Sequence, residues 1–144
     1  YFEYPIHAGA DRAMADADFT TAVLEAADCG LLLDVNNAFV NGLNHGSDPR
    51  AFIAALPLKR VVQIHVAGHD AYPPHVVDTH GAPVCDGVWE LLDWTFARCR
   101  PCGAMIERDM RIPPFGELLP EIVRLRALWE RHYAVVPALE ARPC

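Results

Sequence analysis

Seven side chains with metal-binding donors sit at or just past the ends of short apolar stretches: Asp34, Asn36, His65, His69, Asp78, His80 and Glu107. They belong to LLLDVNN (Leu31 to Asn37), VVQIHVAGH (Val61 to His69), VDTH (Val77 to His80) and AMIERD (Ala104 to Asp109). A set of carboxylates and imidazoles without an evident cysteine suits iron, manganese or zinc. It differs from the closed four-cysteine zinc sites. Several carboxylates could bridge two or more ions. Open positions on iron would allow dioxygen activation, whereas open positions on zinc or manganese favour hydrolysis or isomerisation. Each residue also has a plainer reading. Asp34 could cap a helix, His65 could be a satisfied core histidine, Glu107 could form a salt bridge, and Asn36 could organise a loop. Burying Asp, His and Glu together is expensive unless they pair or bind a cation, and that cost favours a joint site.

Strands must carry these residues, because alternate residues of a strand share a face. Leu32, Asp34 and Asn36 then share one face, as do Gln63, His65 and Ala67, and Met105, Glu107 and Asp109. The opposite faces are mostly aliphatic and suit packing on helices. Strands are expected at 31–35, 61–67 and 104–107, paired in parallel. Helices are expected near 18–28, 48–55, 84–99 and 115–131, with Pro120 marking a kink or a new start. Residues 36–46 and 68–83 read as polar loops rich in Asn, Gly and Pro. Strand and helix alternate as in βαβ units. Strands that end in Asp, His and Glu are how a parallel barrel lines its catalytic mouth. The fold class is thus α/β, either as a partial TIM barrel or as a different α/β layout, forming one domain over 1–144.

Size sets a tension with that reading. The chain has 144 residues, and a complete eight-unit barrel needs roughly 250. The first residues, YFEYP, lack a Met start, so the expectation is that part of a barrel is absent. The formal charge is -7, with one lysine, Lys59, and no basic stripe. Nucleic-acid binding through phosphates therefore has no support. The apolar runs fall well short of about 18 residues, so none should span a membrane. The five cysteines are an odd count that points to a reducing, cytoplasmic compartment. Cys99 and Cys102 have CxxC spacing, but lie where a helix should end and lack a partner cluster. The tail from 134 onward reads as peripheral.

The ordered strings LLLDVNNAFVNGLNHGSDP, QIHVAGH, DTHGAPV and IERD, with IP after them, resemble the DUF692 (UPF0276) family from about Asp18 to His132. The resemblance implies a barrel similar to xylose isomerases, of which this chain would be the C-terminal half. It also implies a multinuclear non-haem iron oxidase with two or three Fe ions. Such enzymes use dioxygen to modify cysteine residues of a ribosomally made precursor peptide, often with a small partner protein that presents the peptide. Carried over by motif, Asp34 and Asn36 match the Asp-Val-Asn element, His65 the histidine of QIH, Asp78 and His80 the DTH element, and Glu107 the late glutamate. These six would be the metal ligands, and further ligands would come from an absent N-terminal half. Asn36 and His69 would orient the ligands or the peptide during catalysis. Arg108 stands where the family usually has tryptophan. Two alternatives remain: a zinc or manganese isomerase or hydrolase of the same barrel type, and a non-catalytic truncated half-domain.

Overall fold

The computed structural model describes residues 14–133; the expected peripheral tail lies outside them. Helix α1 (Asp16–Ala27) leads through Gly30 into strand β1 (Leu31–Asp34). Helix α2 (Val35–His45) and helix α3 (Pro49–Ala55) follow, and a short 3₁₀ turn (Leu58–Arg60) delivers strand β2 (Val61–Val66). A hairpin of β3 (Asp70–Tyr72) and β4 (His75–Val77) precedes helix α4 (Asp86–Phe96), strand β5 (Gly103–Ile106) and helix α5 (Phe115–His132).

The expected parallel pairing is present. The larger sheet has the order β1-β2-β5, with Asp34 opposite His65 and His65 opposite Met105. Leu31 pairs with Val61 and Leu32 with Gln63, so Val62 is an extra residue on β2. This bulge turns Val62 outward, at 45% exposure, and leaves Val61 buried. Beyond β5 the ladder continues one step, where the Glu107 N–H donates to the Val66 carbonyl at 2.9 Å.

One face of the sheet builds the core. Leu33, Ile64 and Val66 pack there with Val35 of α2, Ile53 of α3, and Val88, Leu92 and Phe96 of α4. The face carrying Asp34 and His65 is open: Leu32 is 48% and Met105 43% exposed. Among the described residues, no helix is long and apolar enough to cross a membrane.

The barrel expectation is corrected by this topology. The described residues form a three-stranded parallel sheet and a two-stranded antiparallel one, and neither closes. Closing a barrel requires the first strand to pair with the last around a tilted ring of about eight. Here β1 and β5 stand at opposite edges of the sheet. The fold is α/β with two small open sheets, not a partial TIM barrel.

Both expected loops also contain regular structure. The Asn-rich stretch forms α2 because the Asp34 side chain accepts from the Asn37 N–H at 2.8 Å and caps the helix. Burial of Val35, Asn36, Ala38, Val40 and Gly42 then outweighs the weak helix propensity of asparagine. Within 68–83, Asp70 pairs with Val77 and Tyr72 with His75. Asn44 of α2 pins this hairpin, donating to the Val76 carbonyl at 2.7 Å and accepting from its N–H at 2.9 Å. Helix α5 runs on through Pro120 with no new start.

Candidate metal centre

The end of the sheet gathers the expected donors. Asp34 is the last residue of β1, His65 lies near the end of β2, and Glu107 directly follows β5. Asp78 and His80 come from the segment after the hairpin. Three groups of donor atoms overlap here: Asp34 with His65 and Glu107, Asp34 with Asp78 and His80, and His80 with Glu107 and Asp109. In each group one atom per residue lies within 4.8 Å of the others.

His80 stands in the middle. Its Nε2 is 3.0 Å from Asp78 Oδ1 and 3.4 Å from Asp34 Oδ2. Its Nδ1 is 3.2 Å from Glu107 Oε2 and 3.3 Å from Asp109 Oδ2. These Nδ1 separations are short, but the directions are wrong, and the buried Nδ1 makes no hydrogen bond. The His80 backbone has φ 50°, a left-handed conformation that a residue with a Cβ rarely adopts.

Neighbouring side chains fix the other donors. His65 Nδ1 lies 2.7 Å from Glu107 Oε2, and the Gln63 amide reaches His65 Nε2 at 3.2 Å. Because Gln63 offers an N–H, the ring accepts at Nε2 and donates from Nδ1 to Glu107. Asp78 is gripped by two asparagines: Asn36 Nδ2 donates to Oδ1 and Asn37 Nδ2 to Oδ2, the latter at 3.2 Å. Burial raises the Asp34 carboxyl above its ordinary value, and the charges of Asp78 and Glu107 push it the same way, against the Asn37 N–H and His80.

The donor set fits a cation. Among the described residues, the ion pairs of Asp34, Asp78, Glu107 and Asp109 are with His65 and His80. The adjacent Arg108 is turned away, to Glu121 at 2.9 Å. Several carboxylates around one imidazole repel one another unless positive charge sits between them. The buried His80 Nδ1, close to two carboxylates yet hydrogen-bonded to neither, is a further atom that a cation would satisfy.

Asn36 and His69 lie beside this cluster. Asn36 is fully buried; its Nδ2 also reaches the Gly68 carbonyl at 3.4 Å, and its Oδ1 is 2.8 Å from His69 Nδ1. The His69 ring packs on Phe39 with centroids 5.6 Å apart, and burial lowers its pKa below the usual histidine value. Asp109 joins the donor groups without having been expected there. Its place two residues after Glu107, on the same strand face, was the available signal. Cys99 is buried and Cys102 exposed, and neither belongs to these groups.

An open α/β scaffold with carboxylate and imidazole donors at the ends of its parallel strands defines a candidate metalloprotein. The chain belongs to the family described as RiPP precursor modification enzyme MbnB/TglH/ChrH, whose match covers residues 5–130. RiPPs are ribosomally made, post-translationally modified peptides, so the family works on peptide precursors. A UPF0276 protein of Shewanella amazonensis is 52% identical over 114 residues, covering 78% of this chain and 41% of that protein. A UPF0276 protein of Pseudomonas aeruginosa is 50% identical over 119 residues, 82% of this chain and 42% of the relative. One of Caulobacter vibrioides is 46% identical over 120 residues, 83% and 43% respectively. The chain thus spans about two fifths of the length of these curated relatives. The expected restriction of the likeness to a C-terminal portion is corrected: the match starts ahead of Asp18 and takes in nearly the whole chain.

Proposed function

We propose that this chain supplies the metal-binding part of an iron-dependent oxidase that modifies cysteine residues of a ribosomally made peptide. The observation that carries the reading is the overlap of three donor groups on Asp34, His80 and Glu107. Donors shared between groups suit more than one ion, and oxygen and nitrogen donors suit iron. Asp34, His65, Asp78, His80 and Glu107 would hold two or three Fe ions, with Asn36 as ligand or orienting group. Bound iron would supply the redox chemistry, a site for a cysteine thiolate and electrons for dioxygen.

The chain's own residues do the rest. Glu107 and Gln63 set the His65 ring, and the α2 cap holds one oxygen of Asp34. Asn36 and Asn37 steady Asp78. Such partners of ligands command about 10- to 100-fold in metal affinity or activity. Exposed Leu32 and Met105 flank the polar row on the open face and offer apolar contact to a peptide. His69 and Asn36 would orient the peptide or the ligands, and a small partner protein would present the substrate.

Metal content of protein purified without added metal, followed by anaerobic loading with Fe(II), tests the reading. The expected result is bound iron and a dioxygen-dependent mass change in a cysteine-containing precursor peptide. Zinc or manganese as the only bound metal, with no dioxygen-dependent change, would replace the reading with a hydrolase or isomerase.

A further inference from the structure

We propose that Arg111, acting through Asp70, is a positioning residue for His80. The inference rests on the metal-centre reading above and adds to it the device that places the central imidazole.

The device is a bracket around one strained residue. Arg111 reaches across with two prongs. Its Nη2 donates to Asp70 Oδ2, and its Nε donates to the Gly81 carbonyl at 3.2 Å. The same Asp70 oxygen accepts from Thr79 Oγ1, and Thr79 Oγ1 in turn accepts from the Gly81 N–H at 3.3 Å. The residues before and after His80 are therefore both tied to the Asp70–Arg111 pair. The His80 carbonyl is tied separately, by the Asp109 N–H at 3.0 Å. Arg111 keeps Asp70 below the usual carboxylate range, so the pair is charged at neutral pH.

Strain explains why a bracket is needed. His80 has φ 50° and Arg111 has φ 48°, both in the left-handed region that glycine favours and that side chains rarely enter. Such conformations persist only where surrounding contacts over-determine them. The approach is also close: a Cβ at Gly81 would come within 2.9 Å of Arg111 Nη2 and 3.1 Å of Met110 Cβ. Released from the bracket, residues 79–81 would relax toward ordinary backbone angles and swing the imidazole away from Asp34, Asp78 and Glu107.

A purely structural salt bridge makes a different prediction. Arg111 is 53% and Asp70 22% exposed in their side chains. Ion pairs near solvent add little to folding stability. The pair should therefore matter more to the centre than to the fold.

The test uses Co(II), whose visible absorption reports ligand number and geometry, with the full chain. Arg111→Gln and Asp70→Asn should each weaken Co(II) binding about 10-fold or more, in the range expected for groups that orient ligands, and should alter the Co(II) spectrum. The metal-free melting temperature should move by no more than about 2 °C, the shift expected when a surface ion pair is lost. The double variant should be no worse than the weaker single, because the two residues act as one unit. Arg111→Lys should rescue only in part, since an ammonium cannot make both prongs of the grip. His80→Asn is the reference. If it abolishes the Co(II) spectrum while Arg111→Gln and Asp70→Asn bind normally, the bracket is refuted and the metal-centre reading stands. If His80→Asn binds Co(II) as the parent does, both are refuted. A large fall in melting temperature in both Arg111→Gln and Asp70→Asn would overturn the positioning role in favour of a structural one.

Discussion

Replacing Asp34 by asparagine separates the two tasks of that residue. In the metal-free chain Asp34 caps α2 through the Asn37 N–H at 2.8 Å. Its charge is a burden there: burial and the nearby Asp78 and Glu107 all disfavour ionisation. Asparagine is as good an N-cap as aspartate, and its carbonyl oxygen can accept the same bond without a charge. Metal-free Asp34→Asn should therefore be at least as stable as the parent near pH 8. Asp34→Ala also removes the repulsion but loses the cap, so it should fall about 1 kcal/mol below Asp34→Asn. Both variants should lose more metal affinity than the roughly 10- to 100-fold typical of outer-sphere changes. The assay is urea unfolding followed by far-ultraviolet circular dichroism, with chelator and then with added metal. An Asp34→Asn chain less stable than the parent by about 1 kcal/mol in chelator would refute the repulsion argument. Equal stability of the Asn and Ala variants would refute the cap argument; both thresholds are set by the size of a typical cap.

The same carboxyl predicts a pH effect of unusual sign. Its folded pKa is raised above the ordinary aspartate value of 3.8, so its contribution to stability is present below that value and is lost as pH rises through the folded pKa. The stability difference between parent and Asp34→Asn, measured in chelator across this range, should shift against the parent as pH rises. Glu121→Ala should cost about 3–5 kcal/mol, because it leaves the Arg108 charge buried and unpaired. Arg108 and Glu121 are 8% and 14% exposed, and Glu121 also accepts from the Val84 N–H at 2.6 Å. Replacing both by Met and Leu should restore most of the loss in denaturant unfolding. Gly68→Ala should destabilise by about 1–3 kcal/mol or more, since its Cβ would stand 2.0 Å from the Ala82 carbonyl oxygen, a backbone atom that cannot step aside. The accompanying shift of the 78–83 segment should weaken metal binding in the same variant.

Strand periodicity made the sheet and the donor row legible. Asp34, His65 and Glu107 could be placed on one face because alternation along a strand is strict. The chemical cost of burying them together then joined them into one site. Helix α2 was hidden because asparagine and glycine signal loops locally, and only tertiary burial of Val35, Ala38 and Val40 decides for helix. The open sheet was hidden for a different reason. Donor-tipped parallel strands look alike whether or not the ladder closes, because closure depends on pairing between distant strands. The Asp70–Arg111 bracket joins residues 41 apart, and nothing in local sequence announces such a pair.

The buried Asn36 amide has a polarity that its surroundings do not allow to be reversed. Its nitrogen end faces two acceptors, the Asp78 carboxylate and the Gly68 carbonyl. Turning the amide over would set oxygen against oxygen at both contacts. The oxygen end must then meet His69, and it can only accept, so the hydrogen of that ring resides on Nδ1. Burial keeps the ring neutral, and Nε2 is left as a bare electron pair. One uncharged side chain thereby sets the tautomer of a histidine beside the carboxylate cluster and leaves its Nε2 to accept a hydrogen bond and not to donate one. An aspartate of the same shape at position 36 would still accept from His69 but would supply no hydrogen to Asp78 or the Gly68 carbonyl, setting charge against charge at the first.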